Sequence, residues 1–209
     1  YPALDGVHPF HLGPVSLSVG RGEILFISGG NGSGKSTLMR VLTGLYAPSS
    51  GDLRVDGRPV GSANRRDYRA LIASVLSNYH LFPELYGLGH ISADEVAEQL
   101  RYFELEDKVA VENDRFVSID LSTGQRKRLA LIVALLEDRP LLVLDEWAAD
   151  QDPQFRRKFY RELLPKLKAA GKTVIAVTHD DAYFDVADRR IHLSEGMQIE
   201  SGPAAAAEA

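Results

Sequence analysis

The 209-residue chain contains no cysteine, which excludes disulfide staples and any thiolate metal centre. Long apolar runs are missing too. The longest uncharged one, LALIVALL from Leu129 to Leu136, falls far short of the roughly 20 residues that cross a bilayer. No signal peptide precedes the first expected strand. Negative charge predominates: the formal net charge is -5, and tight basic clusters, such as Arg65-Arg66 and Arg126-Lys127-Arg128, are short and scattered. A nucleic-acid partner is therefore not expected. Sustained heptads and internal repeats are absent. The chain opens on Tyr1-Pro2 without Met and closes on GPAAAAEA, so both ends read as cuts, and residues 201–209 are expected to form a flexible tail.

What is present is ordinary for a globular chain, at 44% hydrophobic and 25% charged residues, enough for one substantial core with a small subdomain. VSLSV (Val15 to Val19) alternates and predicts a half-buried strand, whereas the continuous apolar EILFIS predicts a strand covered on both faces. Leu38, Val41, Leu42 and Leu45 recur at helical spacing. DLRVDGRPV reads as a hairpin turning at Asp56-Gly57, and Leu71 to Ser77 as a further strand. Residues 84–137 turn mainly helical, with Ser92 as an N-cap. Beyond them LLVL, a helix with Phe155, Phe159 and Leu163 on one face, TVIAVT and RIHL alternate. Strand–helix alternation implies an α/β fold with a parallel sheet between helices. The expected organisation is an α/β core from residues 1–83 and 138–200, a β-rich N-terminal edge, and an inserted helical subdomain at 84–137.

SGGNGSGKST carries most of the chemistry. Gly29, Gly34, Lys35 and Ser36 satisfy G-x-x-x-x-G-K-[ST] between a predicted strand and a predicted helix. Glycines let the backbone N–H groups curl around phosphates without a Cβ in the way, and the helix N-terminus adds its positive end. The loop thus predicts a nucleoside triphosphate site built from Gly29, Gly30, Asn31, Gly32, Ser33, Gly34, Lys35, Ser36 and Thr37. Lys35 would reach the β and γ phosphates, and the Ser36 hydroxyl would ligate Mg²⁺.

LLVLDE ends a buried strand with Asp145 and Glu146 at the end where ligands bind in such sheets. Asp145 would hold the Mg²⁺ shell, and Glu146 would act as general base on the attacking water. His179 ends a third buried strand and could reach the γ-phosphate or that water.

With these motifs and LSTGQ (Leu121, Ser122, Thr123, Gly124, Gln125), nearly the whole chain resembles the ATPase domain of ABC transporters. LSTGQ is similar to the family signature, with Thr123 in place of the first glycine. The resemblance implies a P-loop (RecA-like) core, ATP and Mg²⁺ as cofactors, and a head-to-tail dimer in which the signature acts on the partner copy's ATP. It places Asp152 as the last residue of the D-loop and Ser77 where the family usually has a Mg²⁺-ligating glutamine. Trp147 stands where a proline commonly follows the glutamate. Tyr1 is the expected adenine-stacking aromatic, with Phe10 the runner-up.

GGNGSGKST, DEWAADQDP and THDDAYF look like the exporter branch for cyclic peptides and siderophores, similar to pyoverdine-type exporters. That resemblance implies a transmembrane domain fused upstream of Tyr1, a place on the cytoplasmic face of the inner (plasma) membrane, and a docking surface between Asn78 and Leu88. A stand-alone subunit of another transporter and a non-transport ABC ATPase are the alternatives. A P-loop kinase has no use for LSTGQ.

Overall fold

The six-stranded sheet at the centre has its continuous apolar strands in the middle and its polar ones at the rims, as burial on two faces requires. The computed structural model describes residues 10–113, 115–117 and 120–203. In chain order the elements are β1 (Ile24–Gly29), α1 (Lys35–Leu42), β2 (Arg54–Val55), β3 (Arg58–Pro59), α2 (Arg65–Arg69), β4 (Ile72–Val75), α3 (Ala93–Tyr102), β5 (Val111–Glu112), β6 (Arg115–Phe116), α4 (Thr123–Leu136), β7 (Leu141–Asp145), α5 (Pro153–Lys158), α6 (Leu164–Ala169), β8 (Thr173–Val177), β9 (Arg189–Ser194) and β10 (Met197–Pro203). A π-helical turn, Phe159–Leu163, joins α5 to α6.

The sheet order is β10-β9-β1-β8-β7-β4, parallel throughout except for β10. Alternate residues of each inner strand feed opposite cores. Phe26, Leu144 and Ala176 pack with Phe155, Phe159 and Leu163 on one face. Ile27, Val143 and Val177 pack with Leu38 and Met39 of α1 on the other. Each fully buried phenylalanine contributes about 1.5–3 kcal/mol. The first core extends without a break into the helical region through Val96, Leu100, Leu129 and Ile132.

Several expectations hold in detail. Asp56 and Gly57 both take positive φ (46° and 76°), the conformation that joins β2 to β3 in a tight hairpin. Ser92 caps α3 reciprocally with Glu95.

Others need correction. Val15 to Val19 keeps the predicted alternation, with Val15, Leu17 and Val19 half-buried against the second core, yet no strand forms there. A ladder needs a partner, and among the described residues none pairs with this segment. The β-rich N-terminal edge is thereby reduced to the β2–β3 pair. Region 84–137 also contains the β5–β6 hairpin, anchored where Phe116 N–H donates to Pro83 O at 2.8 Å. Finally, the expected tail starts too early. β10 runs to Pro203 because the Glu195-Gly196 turn, at φ 49° and 79°, folds the chain back antiparallel onto β9.

Candidate active site

One edge of the sheet collects all three chemical motifs, because the parallel strands carrying them are in register. Ile27 of β1 lies beside Val177 of β8, which lies beside Asp145 of β7. The glycine loop, His179 and Glu146 therefore leave neighbouring strands at the same height. Backbone bonds lock the exits: Thr178 N–H donates to Ile27 O at 3.1 Å, and Glu146 N–H to Val177 O at 3.2 Å.

The glycine loop needs its glycines for separate steric reasons. At Gly29 (φ 147°) a Cβ would stand 2.2 Å from Leu193 O, and at Gly34 (φ 101°) 2.9 Å from a Leu12 methyl. Gly34 immediately precedes α1, so the loop delivers the helix N-terminus to the cleft. Lys35 folds back inside the loop: its ammonium donates to Gly29 O (2.8 Å) and Gly30 O (3.0 Å), and only 6% of the residue is exposed. A cleft of about 490 Å³ lies over this loop, lined by Phe10, residues 31–37 and Glu146.

Glu146 takes a left-handed backbone (φ 50°, ψ 38°), which costs a non-glycine residue about 1–2 kcal/mol. Its Oε1 lies 3.2 Å from His179 Nε2 and 3.8 Å from Lys35 Nζ. Asp145 is buried, and its Oδ1 has no hydrogen-bond partner. Ser36 is exposed at the start of α1. Ser77 is exposed two residues beyond Val75 of β4, whose register partner is Leu144. It belongs to the same edge of the sheet.

The remaining expected residues are placed as follows. Tyr1 falls outside the described residues. Phe10 lines the cleft, with its ring 3.0 Å from the Cβ position of Gly34. Leu121 is buried, and Ser122 caps α4 in a reciprocal box with Gln125 (3.3 and 3.1 Å). Thr123, at the first helical position, is exposed, while a Cβ on Gly124 would meet Asp150 O at 2.5 Å. No residue of 121–125 lines the cleft over the glycine loop. Asp152 caps α5 through Phe155 N–H (2.9 Å) and pairs with Arg128. The Phe155 N–H first, and Arg128 beside it, hold its carboxyl below the usual range. Of the expected docking segment, Leu85 and Leu88 are buried and Tyr79 is half-buried. Phe82 and Tyr86 are exposed and form an aromatic cluster with His80.

Sequence reasoning missed Lys127 and Arg128, both buried residues of the signature helix α4. Their signal was available: each stands four residues before a buried apolar residue, Leu131 or Ile132, and so on the inward face of α4. Arg128 lies over the Phe155 ring at 3.6 Å and donates to Gln151 Oε1 at 2.9 Å. Tyr160, swung inward at the π-helical turn, bonds Thr178 Oγ1 (2.6 Å) and Asp180 Oδ2 (2.8 Å), the two neighbours of His179.

The profile of the ABC transporter family matches residues 12–149. ATP-binding protein SyrD of Pseudomonas syringae pv. syringae is 52% identical over 194 residues, covering 91% of this chain and 34% of that protein. An ATP-dependent lipid A-core flippase of Burkholderia pseudomallei (strain 1710b) is 34% identical over 203 residues, with the same two coverages of 91% and 34%. The chain thus spans about a third of the length of these two relatives. Among solved structures, a dimeric ATP-binding cassette in a post-hydrolysis state with ADP and Pi superposes at TM-score 0.77 and 26% identity, covering 93% of this chain and 90% of that one. A bacterial Atm1-family ABC exporter with ATP bound superposes at TM-score 0.77 and 25% identity, covering 92% of this chain and 36% of that one. The chain belongs to the ABC transporter family and is an ATP-binding, ATP-hydrolysing domain of it.

Proposed function

We propose that this ATPase domain powers export of a cyclic peptide, siderophore or similar amphiphile, working on the cytoplasmic face of the inner membrane with a transmembrane domain on the same polypeptide. The similarity to an exporter and to a lipid A-core flippase supports the direction and the amphiphilic cargo. The exposed cluster of His80, Phe82 and Tyr86 suits the membrane domain's docking surface. In this reading residues 84–137 form the signature-bearing subdomain, set on the α/β core that flanks them in the chain.

The observation that carries the catalytic reading is the meeting of Glu146 with Lys35 and His179 at one sheet edge. The N–H groups of residues 29–37 and the Lys35 ammonium bind the phosphates, and Phe10 supports the base. Glu146 takes the proton from the attacking water, and His179 orients that water or the γ-phosphate. Asp145 and Ser36 would hold Mg²⁺, which on binding would neutralise phosphate charge, and Ser77 would supply a further oxygen. The orphaned, buried Oδ1 of Asp145 fits that ligand set. In this reading residues 121–125 serve a second copy placed head to tail, with Asp152 at the junction, and their position away from the lining of their own copy's cleft supports it.

Lys35→Ala tests the nucleotide site. Titration with a fluorescent ATP analogue should show affinity weakened at least about tenfold, with hydrolysis lost, since the β/γ charge loses its counterion. Unchanged affinity and turnover would overturn the assignment. For the exporter reading, the coding sequence around this segment should contain several apolar stretches of ~20 residues. Their absence there would remove the fused membrane domain.

A further inference from the structure

The first turns of α4 are fastened to the segment that carries Glu146, and one side chain makes the decisive contact. Lys127 is buried, yet its ammonium donates to Glu146 O at 2.7 Å and lies 2.6 Å from Asp150 Oδ2. The backbone answers in the other direction, because Trp147 Nε1 donates to Lys127 O at 2.8 Å. Gln151 Nε2 donates to Gly124 O at 3.2 Å, and Arg128 holds Gln151 and Asp152. Trp147 is itself 1% exposed against Phe155 and Phe159, so its indole cannot drift.

We infer that Lys127 is a positioning residue for hydrolysis, holding the Glu146 backbone in its left-handed conformation so that the carboxylate faces Lys35 and His179. The inference rests on Glu146 being the general base. Its physical basis is an asymmetry. Among the described residues the Glu146 carbonyl otherwise receives Ala149 N–H, at 3.4 Å, which is a weak bond. A residue at φ 50° is one that the chain will abandon unless its surroundings hold it. A buried ammonium is in turn costly unless paired, and here a carboxylate and a carbonyl satisfy it together. Trp147 and Lys127 thus make one unit, which gives a role to the tryptophan that stands in the usual proline position. Lys127 lies one turn beyond Gly124 on a continuous helix, so the general base is tied to the signature helix of its own copy.

Lys127→Met keeps the aliphatic stem and removes the charge; Lys127→Arg keeps a donor. With the full chain at saturating Mg·ATP, Lys127→Met should lower kcat about tenfold or more while the affinity for a fluorescent ATP analogue changes less than about threefold. Lys127→Arg should recover most of the lost rate. Normal kcat for Lys127→Met, measured well below its melting temperature, would overturn the inference. If Lys127→Met does not fold, Trp147→Phe and Asp150→Asn carry the test: a fall in kcat in either supports the inference, and normal kcat in both overturns it. Glu146→Gln runs in parallel. Full turnover in that variant removes the general-base reading itself, whereas its loss beside a normal Lys127→Met removes only the role of Lys127.

Discussion

Nε2 of His179 lies 3.2 Å from Oε1 of Glu146, although 33 positions separate the two in the chain. Adjacent parallel strands of matched length bring them together, and the Lys35 ammonium completes the group from a third strand's loop.

The first prediction follows from that geometry. Glu146→Gln keeps the shape and removes the proposed base, so hydrolysis should fall by about 10²-fold or more. ATP, left uncleaved, should then hold two copies together, and light scattering with Mg·ATP should shift toward twice the monomer mass. Adding Ser122→Arg should reverse the shift by crowding the helix N-terminus. A Glu146→Gln protein that binds ATP and stays monomeric at high concentration counts against the shared site.

Two adjacent signature positions should differ in their tolerance of substitution. Gly124→Ala forces a Cβ to 2.5 Å from Asp150 O, with backbone on both sides, and should cost about 1–3 kcal/mol. Thr123 is exposed, so Thr123→Gly, which restores the family's usual residue, should cost under about 1 kcal/mol. Thermal denaturation of both proteins separates the outcomes. Equal losses would mean that the Asp150 contact is soft.

Alkaline stability should depend on Tyr68. Its hydroxyl donates to Leu42 O at 2.5 Å, and burial pushes its pKa up to about 12 from an ordinary 10.0. Between those values the unfolded chain gives up a proton that the fold retains. The tyrosine's contribution is therefore complete below about pH 10 and is lost as pH rises through about 12. Its slope is about 1.4 kcal/mol per pH unit. Tyr68→Phe should flatten that part of a stability–pH profile measured by urea unfolding. An unchanged slope would show that Tyr68 ionises freely in the fold.

Tyr160→Phe should damage hydrolysis more than nucleotide binding. The hydroxyl it removes is shared by Thr178 and Asp180, which flank His179 on either side. The loss should cost about 1–2 kcal/mol and lower kcat, with ATP affinity nearly intact. Equal kcat in the two proteins would restrict the π-helical turn to packing.

Much of this was legible along the chain because it depends on local spacing. Glycines 29 and 34, followed by Lys35, specify a loop whose conformation is set by residues within reach of one another. The apolar runs of β1, β7 and β8 declare burial on both faces. The capping pair at Ser92 and Glu95 and the turn at Asp56-Gly57 are equally local. The alternation of Val15 to Val19 was read correctly as one half-buried face. A strand, however, also needs a neighbour's N–H and C=O groups, and no residue within the segment records whether they are there.

What only the tertiary structure decided concerns pairs far apart in sequence. Nothing in RKRLALIVALL says that Lys127 reaches the carbonyl of Glu146, or that Trp147 returns a bond to Lys127. Both contacts exist because α4 packs against the 3₁₀ turn Trp147–Asp150 that follows β7, and that packing is chosen by the shared core around Phe155 and Phe159. The identities of the glycine-loop and acidic residues are properties of sequence. Their separation in space, and the left-handed turn that aims Glu146 at His179, are properties of strand register and core packing, which act between residues that the chain itself keeps distant.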